Sequence, residues 1–243
     1  MAATIRRSIR EAGAANVHVV LMTTGETSSA RAAIARGIRP RSGAGGVVTA
    51  ELTPAQFSAA RDTEFRAAAA RLGVPAANVH LGLPRFERVV DGRLTAATAS
   101  AFANAAIDRF GRGAAYNTMS DLDPSHDHRT VGIQVRRAAA ARKVAQVTYH
   151  YPQYHLPARK ALVRVAPATN EDRAAIRAAA RQYGVFKPES NRWGVGWVSV
   201  AAAFGGEALA TWQVRPNGTT WKPTAVKAPS RSLFDSLSSY THR

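Results

Sequence analysis

The stretch that decides the fold is Val17-His18-Val19-Val20-Leu21-Met22, a β-branched apolar run bounded by Asn16 and by Thr23-Thr24-Gly25. A continuous apolar run of this length is typical of a strand that is buried on both faces, as in a parallel sheet. Similar short runs predict strands over 79–81, 114–118 and 144–149. Because helical patterns separate these runs, we predict βαβ units in a three-layer, Rossmann-like α/β fold with a mostly parallel sheet.

The clearest helix begins at Thr53-Pro54, with Thr as the N-cap and Pro at the first helical position, and Gly73 stops it. Together with this one, the predicted helices cover 3–11, 54–72, 95–110, 129–142 and 170–183. Residues 28–46 are rich in Gly and Arg and predict a long loop with one or two helical turns.

The C-terminal part has a different pattern. Apolar residues over 208–214 and 219–221 flank Pro216-Asn217-Gly218, which predicts a hairpin with an Asn-Gly turn. We therefore predict a main domain over 1–205 and a short β appendage over 206–243.

The amino-acid composition excludes several classes of functional site. The chain has no cysteine, which excludes disulfides, thiolate nucleophiles and cysteine-based zinc sites, so any metal must be held by His, Asp or Glu. No stretch approaches the roughly 18 uninterrupted apolar residues of a membrane span. Residues 1–11 lack the apolar core of a signal peptide, which favours a cytoplasmic location.

The net charge of +17 raises the question of nucleic-acid binding. The 33 basic residues are scattered through the helical segments, and only five of them are Lys. The sequence contains no helix-turn-helix signature and no interleaving of aromatic and basic residues. We predict that nucleic acid is not a partner.

The most specific stretch is Asp121-Leu122-Asp123-Pro124-Ser125-His126-Asp127-His128-Arg129, which places three carboxylates and two imidazoles between a strand and a helix. Histidine binds zinc well, and a nearby carboxylate can fix its tautomer. A solvated loop that caps the helix is the other interpretation of the same residues. Ser125 has no His and acid partners in register for a serine hydrolase.

This stretch, followed by Thr130-Val131-Gly132, resembles the second signature of the PIG-L/LmbE-like zinc-dependent de-N-acetylases, a His-Pro-Asp-His-Arg run that leads into a helix. Other segments resemble that family in the same order: 17–26 with its Thr-x-Gly-Glu turn, 61–64 with its Arg-x-x-Glu helix, 72–74, 79–84, and the C-terminal region over 183–200. The resemblance covers roughly residues 2–200.

The resemblance implies a role for each matching residue. His128 corresponds to a zinc ligand, and Asp127 to the Asp that orients the site. Glu26 and Arg61 correspond to positions that line the substrate pocket. The family's first His falls on Ser125, and His126 stands where Pro is usual, which makes His126 the candidate for stabilising the developing oxyanion.

One family motif has no counterpart in this chain. The family begins with a strand ending in His-Pro-Asp-Asp-Glu, which supplies two zinc ligands and the general base, whereas here no His precedes His18 and no Asp precedes Asp62. We expect this strand to lie before Met1, so that the given sequence starts at an internal Met; a truncated, inactive relative is the alternative. Without that strand, the strand at 17–22 would have an unpaired inner edge.

The predicted function is removal of an N-acetyl group from an amino sugar or its conjugate by a zinc-dependent hydrolase. A non-catalytic, sugar-binding relative is the alternative. Of the other histidines, His18 and His80 are interpreted as hydrogen-bonded core or edge residues. His150 and His155 follow a strand, where contact with a substrate or simple capping of a loop are both open.

Overall fold

The computed structural model describes residues 1–41, 43, 45–151, 162–200 and 211–214. Its helices are α1 (Ala2–Ala12), α2 (Ser29–Arg36), α3 (Pro54–Arg71), α4 (Ala96–Phe110), α5 (His126–Ala141), α6 (Asn170–Gln182) and α7 (Val195–Val200). Its strands are β1 (Val19–Leu21), β2 (Val79–Leu81), β3 (Ala115–Met119), β4 (Gln146–Tyr151), β5 (Leu162–Val165), β6 (Phe186–Lys187), β7 (Arg192–Trp193) and β8 (Thr211–Val214).

Parallel pairs form the centre of the fold. β1 is parallel to β2, with α2 and α3 between them in the chain, and β3 is parallel to β4, with α5 between them. The α/β class with parallel strands, predicted from the alternation of apolar runs and helical patterns, is confirmed. In the described ranges β1 pairs with β2 alone and β3 with β4 alone, so each has a second edge without a ladder there.

Helices cover both faces of the β1–β2 pair, which in the described residues forms a sheet separate from that of β3, β4, β8 and β5. Val79 of β2 packs with Ala69 of α3, whereas the next residue, His80, contacts the ring of Phe110 at the end of α4. Successive side chains of a strand point to opposite faces, so α3 and α4 lie on different sides. Ile107 and Ala138 join α4 to α5 on the second side.

A buried ion-pair network fixes α1 against α6 on the first side. The Arg6 guanidinium donates to Asp172 at 2.9 Å and to Glu171 at 2.7 Å, and Arg10 also pairs with Asp172. Burial works against the charged form of Asp172, but the Arg6 hydrogen bond, with that of the Ala168 N–H, outweighs it and lowers the pKa of this carboxyl. The two helices are therefore joined by charge as well as by apolar contact.

Several predicted boundaries shift in the structure. The strand predicted over 17–22 shortens to β1 because the Val17 N–H bonds back to Ala14 in a helical turn. α5 begins at His126 rather than at 129, with Ser125 as its N-cap. Asp127 and His128 thus lie in the first turn of a helix and not in the preceding loop.

The C-terminal β region contributes to the main sheet. β8 lies between β4 and β5 and is antiparallel to both. β5 and the two-residue pair β6–β7 were not predicted from the sequence. The Asn-Gly turn and the second arm of the predicted hairpin lie outside the described residues, so the proposed boundary at 205/206 stays a prediction. None of the helices in the described part of the chain has the length and apolarity to cross a membrane.

Glu64 connects α3 to the start of α7 through a fully buried carboxylate. Its two oxygens accept hydrogen bonds from the Val195 N–H at 2.8 Å and the Gly196 N–H at 2.9 Å. Burial raises the pKa of Glu64 from its usual 4.5 to about 7, although these two hydrogen bonds and the charges of Arg192 and Arg61 act in the opposite direction. The folded chain therefore holds a proton on Glu64 more tightly than the unfolded chain does.

The substitution Glu64→Gln tests this linkage. A raised folded-state pKa contributes stability below the unfolded value, and that contribution is lost as pH rises from about 4.5 to about 7. We expect the wild type to lose stability relative to Glu64→Gln over this interval, by about 3 kcal/mol in total. Urea unfolding at several pH values measures this difference in the free energy of unfolding. The exposed Glu51→Gln is the control. A difference that does not change with pH would contradict the assignment.

Candidate functional site at the carboxyl ends of the strands

The loops that follow β1, β2 and β3 meet at one edge of the sheet. The loop after β1 is tied to the loop after β2 by the Thr24 N–H, which donates to the Val89 carbonyl at 3.0 Å, and by the Thr27 hydroxyl, which donates to the Asp91 carbonyl at 2.9 Å. The Gly92 N–H then donates to Asp127 Oδ2 at 2.6 Å. Carboxyl ends of parallel strands are where such folds bind ligands, and backbone contacts join all three loops there.

Asp123 organises the turn between β3 and α5. Its carboxylate is 1% exposed, and Oδ1 accepts the Ser125 N–H at 2.8 Å. Oδ2 lies 3.1 Å from His128 Nδ1, and the Arg129 guanidinium donates to the Asp123 carbonyl at 3.2 Å. An Asp that accepts from the backbone two residues on is a common turn-forming arrangement. Here it places the first turn of α5.

His128 is oriented by this contact. Because a carboxylate only accepts hydrogen bonds, Nδ1 carries the proton and Nε2 presents its lone pair. The side chain is 44% exposed, so part of the imidazole is in contact with solvent. A histidine held by a carboxylate on one nitrogen, with the other nitrogen open, has the arrangement that proteins use for metal-binding histidines.

Asp127 lies beside His128 in the first turn of α5 and is 7% exposed. Oδ2 accepts the Gly92 N–H, whereas Oδ1 is buried and has no hydrogen-bond partner among the described residues. The helix N-terminus favours a carboxylate at this position. An unsatisfied buried oxygen is costly, so Oδ1 is a position that a ligand would satisfy.

His126 occupies a different part of the site. Its Nε2 lies 3.3 Å from the Leu94 carbonyl, which can only accept, so the ring donates there. The ring lines a cleft of about 460 Å³ between α5 and the segment 92–96. Nε2 of His126 is therefore already bound to the backbone. The role suggested for His126 in stabilising the oxyanion stays a prediction.

The predicted substrate residues Glu26 and Arg61 lie at the loop after β1. Gly25, at φ +73°, packs so closely on the Arg61 guanidinium that a methyl group there would overlap it, and Glu26 follows in the chain, half-buried. In the described part of the chain, no hydrogen bond or ion pair links Glu26 or Arg61 directly to α5. They connect to Asp127 through the backbone contacts of Thr27, Asp91 and Gly92.

The described residues do not form a complete zinc centre. A catalytic zinc site normally takes three protein ligands, and no group of three His, Asp or Glu residues is close enough within those ranges to hold a metal ion. The arrangement supplies one partly exposed imidazole, that of His128, and the buried, unpaired Oδ1 of Asp127.

The remaining histidines lie away from this turn. His150 is buried in β4 with Nε2 3.1 Å from Asn117 Oδ1, while His155 is outside the described residues. His18 and His80 lie 3.1 Å apart, Nδ1 to Nε2, as a hydrogen-bonded pair. Sequence reasoning counted Asp123 among the three carboxylates of this stretch without singling it out as the one that orients His128, although an Asp two residues before a Ser N-cap is the signal that could have identified it.

Comparison with known proteins adds little to this. No protein-family model and no curated protein matches the chain. Among solved structures, the chain is similar to N,N'-diacetylchitobiose deacetylase from Pyrococcus horikoshii, complexed with its inhibitor MPG. The identity is 17% and the TM-score 0.47, with 89% of this chain and 78% of that chain covered. A similarity of this size does not extend to activity, substrate or metal, which must rest on the chain's own residues.

Replacing Asp123 by Asn tests how His128 is oriented. The Asn amide can still accept from Ser125 with its oxygen, but its NH₂ group then faces His128 Nδ1 and favours the proton on Nε2. We expect the ¹⁵N spectrum of the imidazole to change from the Nδ1–H to the Nε2–H tautomer. Tautomers that are the same in both proteins would show that Asp123 does not orient the ring.

Gly132 allows the close approach of α5 to the end of β3. A Cβ at this position would lie 2.6 Å from the Met119 carbonyl oxygen and 2.6 Å from the Asp121 nitrogen, both backbone atoms. Gly132→Ala should lower the free energy of unfolding by about 1–3 kcal/mol through overpacking. Denaturant unfolding measures this, and Gly113→Ala, which has open space around it, is the control. Equal stabilities for the two variants would contradict the close approach.

Proposed function

We propose that this chain is a hydrolase of the metal-dependent N-deacetylase type, which removes the acetyl group from an N-acetylated amino sugar or its conjugate. The observation that carries the proposal is the pair at the start of α5. Asp123 binds His128 through Nδ1, which leaves the Nε2 lone pair available to a ligand, and Asp127 beside it has an unsatisfied buried oxygen. The resemblance of 125–132 to the second de-N-acetylase signature supports the same chemistry.

Zinc is the metal we propose, with His128 as the ligand from this chain. Neutral imidazole is a good zinc ligand, and the chain has no cysteine to provide an alternative. Since the described residues do not complete a zinc centre, no reaction step is assigned to the metal. Asp123 acts as a positioning residue, because it contacts the His128 nitrogen that faces away from the ligand side.

The sugar itself would be bound by the loop after β1. The half-buried Glu26 carboxylate accepts hydrogen bonds, the Arg61 guanidinium donates them, and together they match the hydroxyl groups of a sugar. The Arg61 guanidinium contacts Gly25, the residue before Glu26 in the chain. Asp127 would accept from a donor on the substrate, such as the acetamide N–H, through Oδ1.

A non-catalytic sugar-binding module is the second candidate. One observation favours it: within the described ranges, no three-ligand set surrounds His128. This candidate keeps Glu26, Arg61 and Asp127 as binding residues and requires neither metal nor turnover.

Zinc binding and acetate release, measured on the purified chain, distinguish these functions. We expect the wild type to bind zinc and to release acetate from N-acetylglucosamine or a conjugate of it. We expect His128→Ala to weaken zinc binding by about tenfold or more and to abolish acetate release. His18→Ala is the matched control, because it removes a histidine of the separate His18–His80 pair.

Each remaining outcome selects one explanation. Sugar binding that is lost in Glu26→Gln and Arg61→Gln, without zinc binding or acetate release, would establish the binding module. A chain that binds neither zinc nor N-acetylated sugars would overturn both functions.

A further inference from the structure

The cleft next to His126 has features that the proposed reaction does not use. It lies between the first turn of α4 and one side of α5, with a volume of about 460 Å³. Its walls include Arg93, Thr95 and Ala96 on the first side and Gln134 and Arg137 on the second. His126 stands at the end nearest Asp127.

The charged residues of the cleft are all of one sign. Arg93 and Arg137 are both exposed, and neither forms an ion pair or a side-chain hydrogen bond within the part of the chain that the structure describes. Among the residues that the structure describes, no Asp or Glu lines the cleft. Asp127 lies near its edge, but Oδ2 there is bound to the Gly92 N–H. The two guanidinium groups therefore produce a positive potential in the cleft.

The N-terminus of α4 adds backbone donors to this wall. Thr95 caps the helix by accepting the Thr98 N–H at 3.1 Å, and Ala96 and Ala97 follow as the first two helical residues. The N–H groups of those two positions have no acceptor within a helix. Free N–H groups and the helix dipole together favour an anion.

Gln134 gives an independent indication of a ligand. It is 7% exposed, lines the cleft, and its amide forms no hydrogen bond with any described residue. The amide itself is not sealed in the core, since neither of its polar atoms is both fully buried and unpaired, so it is accessible from the cleft that it lines. The amide of Gln134 can donate to a bound anion and accept from a neighbouring hydroxyl group.

We propose that this cleft binds the anionic group, a phosphate or a carboxylate, of a small molecule. Arg93 and Arg137 neutralise the charge, the N-terminus of α4 donates from the backbone, and the amide of Gln134 donates from the floor. The rest of the molecule extends past His126 towards Asp127. Only this placement towards Asp127 rests on the proposed function. It narrows the proposed substrate to an N-acetylated sugar with an acidic substituent.

Isothermal titration of the full chain with inorganic phosphate at low ionic strength tests the anion site, and succinate tests whether a carboxylate serves as well. We expect saturable binding of at least one of the two anions. Arg137→Gln and Gln134→Leu should each weaken it by about tenfold, the size expected for one charge-assisted or buried hydrogen bond. Gln134→Glu should abolish it, since the new carboxylate repels the anion.

Arg66→Gln is the matched control, since Arg66 is an exposed arginine on α3, away from the cleft. If Arg66→Gln weakens anion binding as much as Arg137→Gln does, the binding depends on the overall charge of the chain. That result would overturn the proposal. Absence of saturable binding to both anions would also overturn it.

A second comparison separates the cleft from the reaction. His128→Ala should keep phosphate binding even where it loses zinc. N-acetylglucosamine 1-phosphate should bind more tightly than either N-acetylglucosamine or phosphate, and Arg137→Gln should remove this advantage. If phosphate binds in the cleft but the sugar phosphate binds no more tightly than phosphate alone, the anion site is confirmed and its link to the sugar is wrong.

Discussion

Asp123 lies in the turn that follows β3, and its carboxylate is almost completely buried. Both of its oxygens therefore need hydrogen-bond partners from the chain itself. One partner is the backbone N–H of Ser125, which fixes where α5 can begin, and the other is the imidazole of His128 one turn later. A side chain without two hydrogen-bonding atoms would leave one of these groups unsatisfied. Gly132 completes the constraint, because α5 can start there only if it approaches the backbone of β3 closely.

Much of the fold could be predicted because its signals are local. Thr53-Pro54 and Gly73 mark the ends of α3, and the structure has the predicted Thr53 cap in a capping box with Gln56. The start of α5 was placed too late because 126–128 are polar and give no helical periodicity; a carboxylate from outside the helix fixes the turn. The position of β8 between β4 and β5 depends on long-range pairing, which for β4 spans more than 60 residues along the chain, and no local pattern encodes it.

The site was predictable in part for the same reason. Resemblance to a known signature selected Asp127 and His128, which are neighbours in sequence, and their proximity needed no tertiary information. The link from Arg61 through Gly25 to Gly92 and Asp127 depends on how three loops cross at the sheet edge. Likewise, Gln134 is one polar residue of several in its helix, and only the packing of α4 against α5 shows that this mostly buried side chain lines the cleft.

The two sides of the first turn of α5 differ in charge. One side carries Asp123 and Asp127, whose carboxylates hold an imidazole and a backbone N–H and suit a neutral, hydrogen-bonding group. The other side opens into the cleft of Arg93 and Arg137, which suits an anion. His126 lies between them, and its bond to the Leu94 carbonyl keeps the ring on the cleft side. A ligand with a neutral end and an anionic end would therefore bind across this turn in one orientation, because reversing it would place the anion against two buried carboxylates.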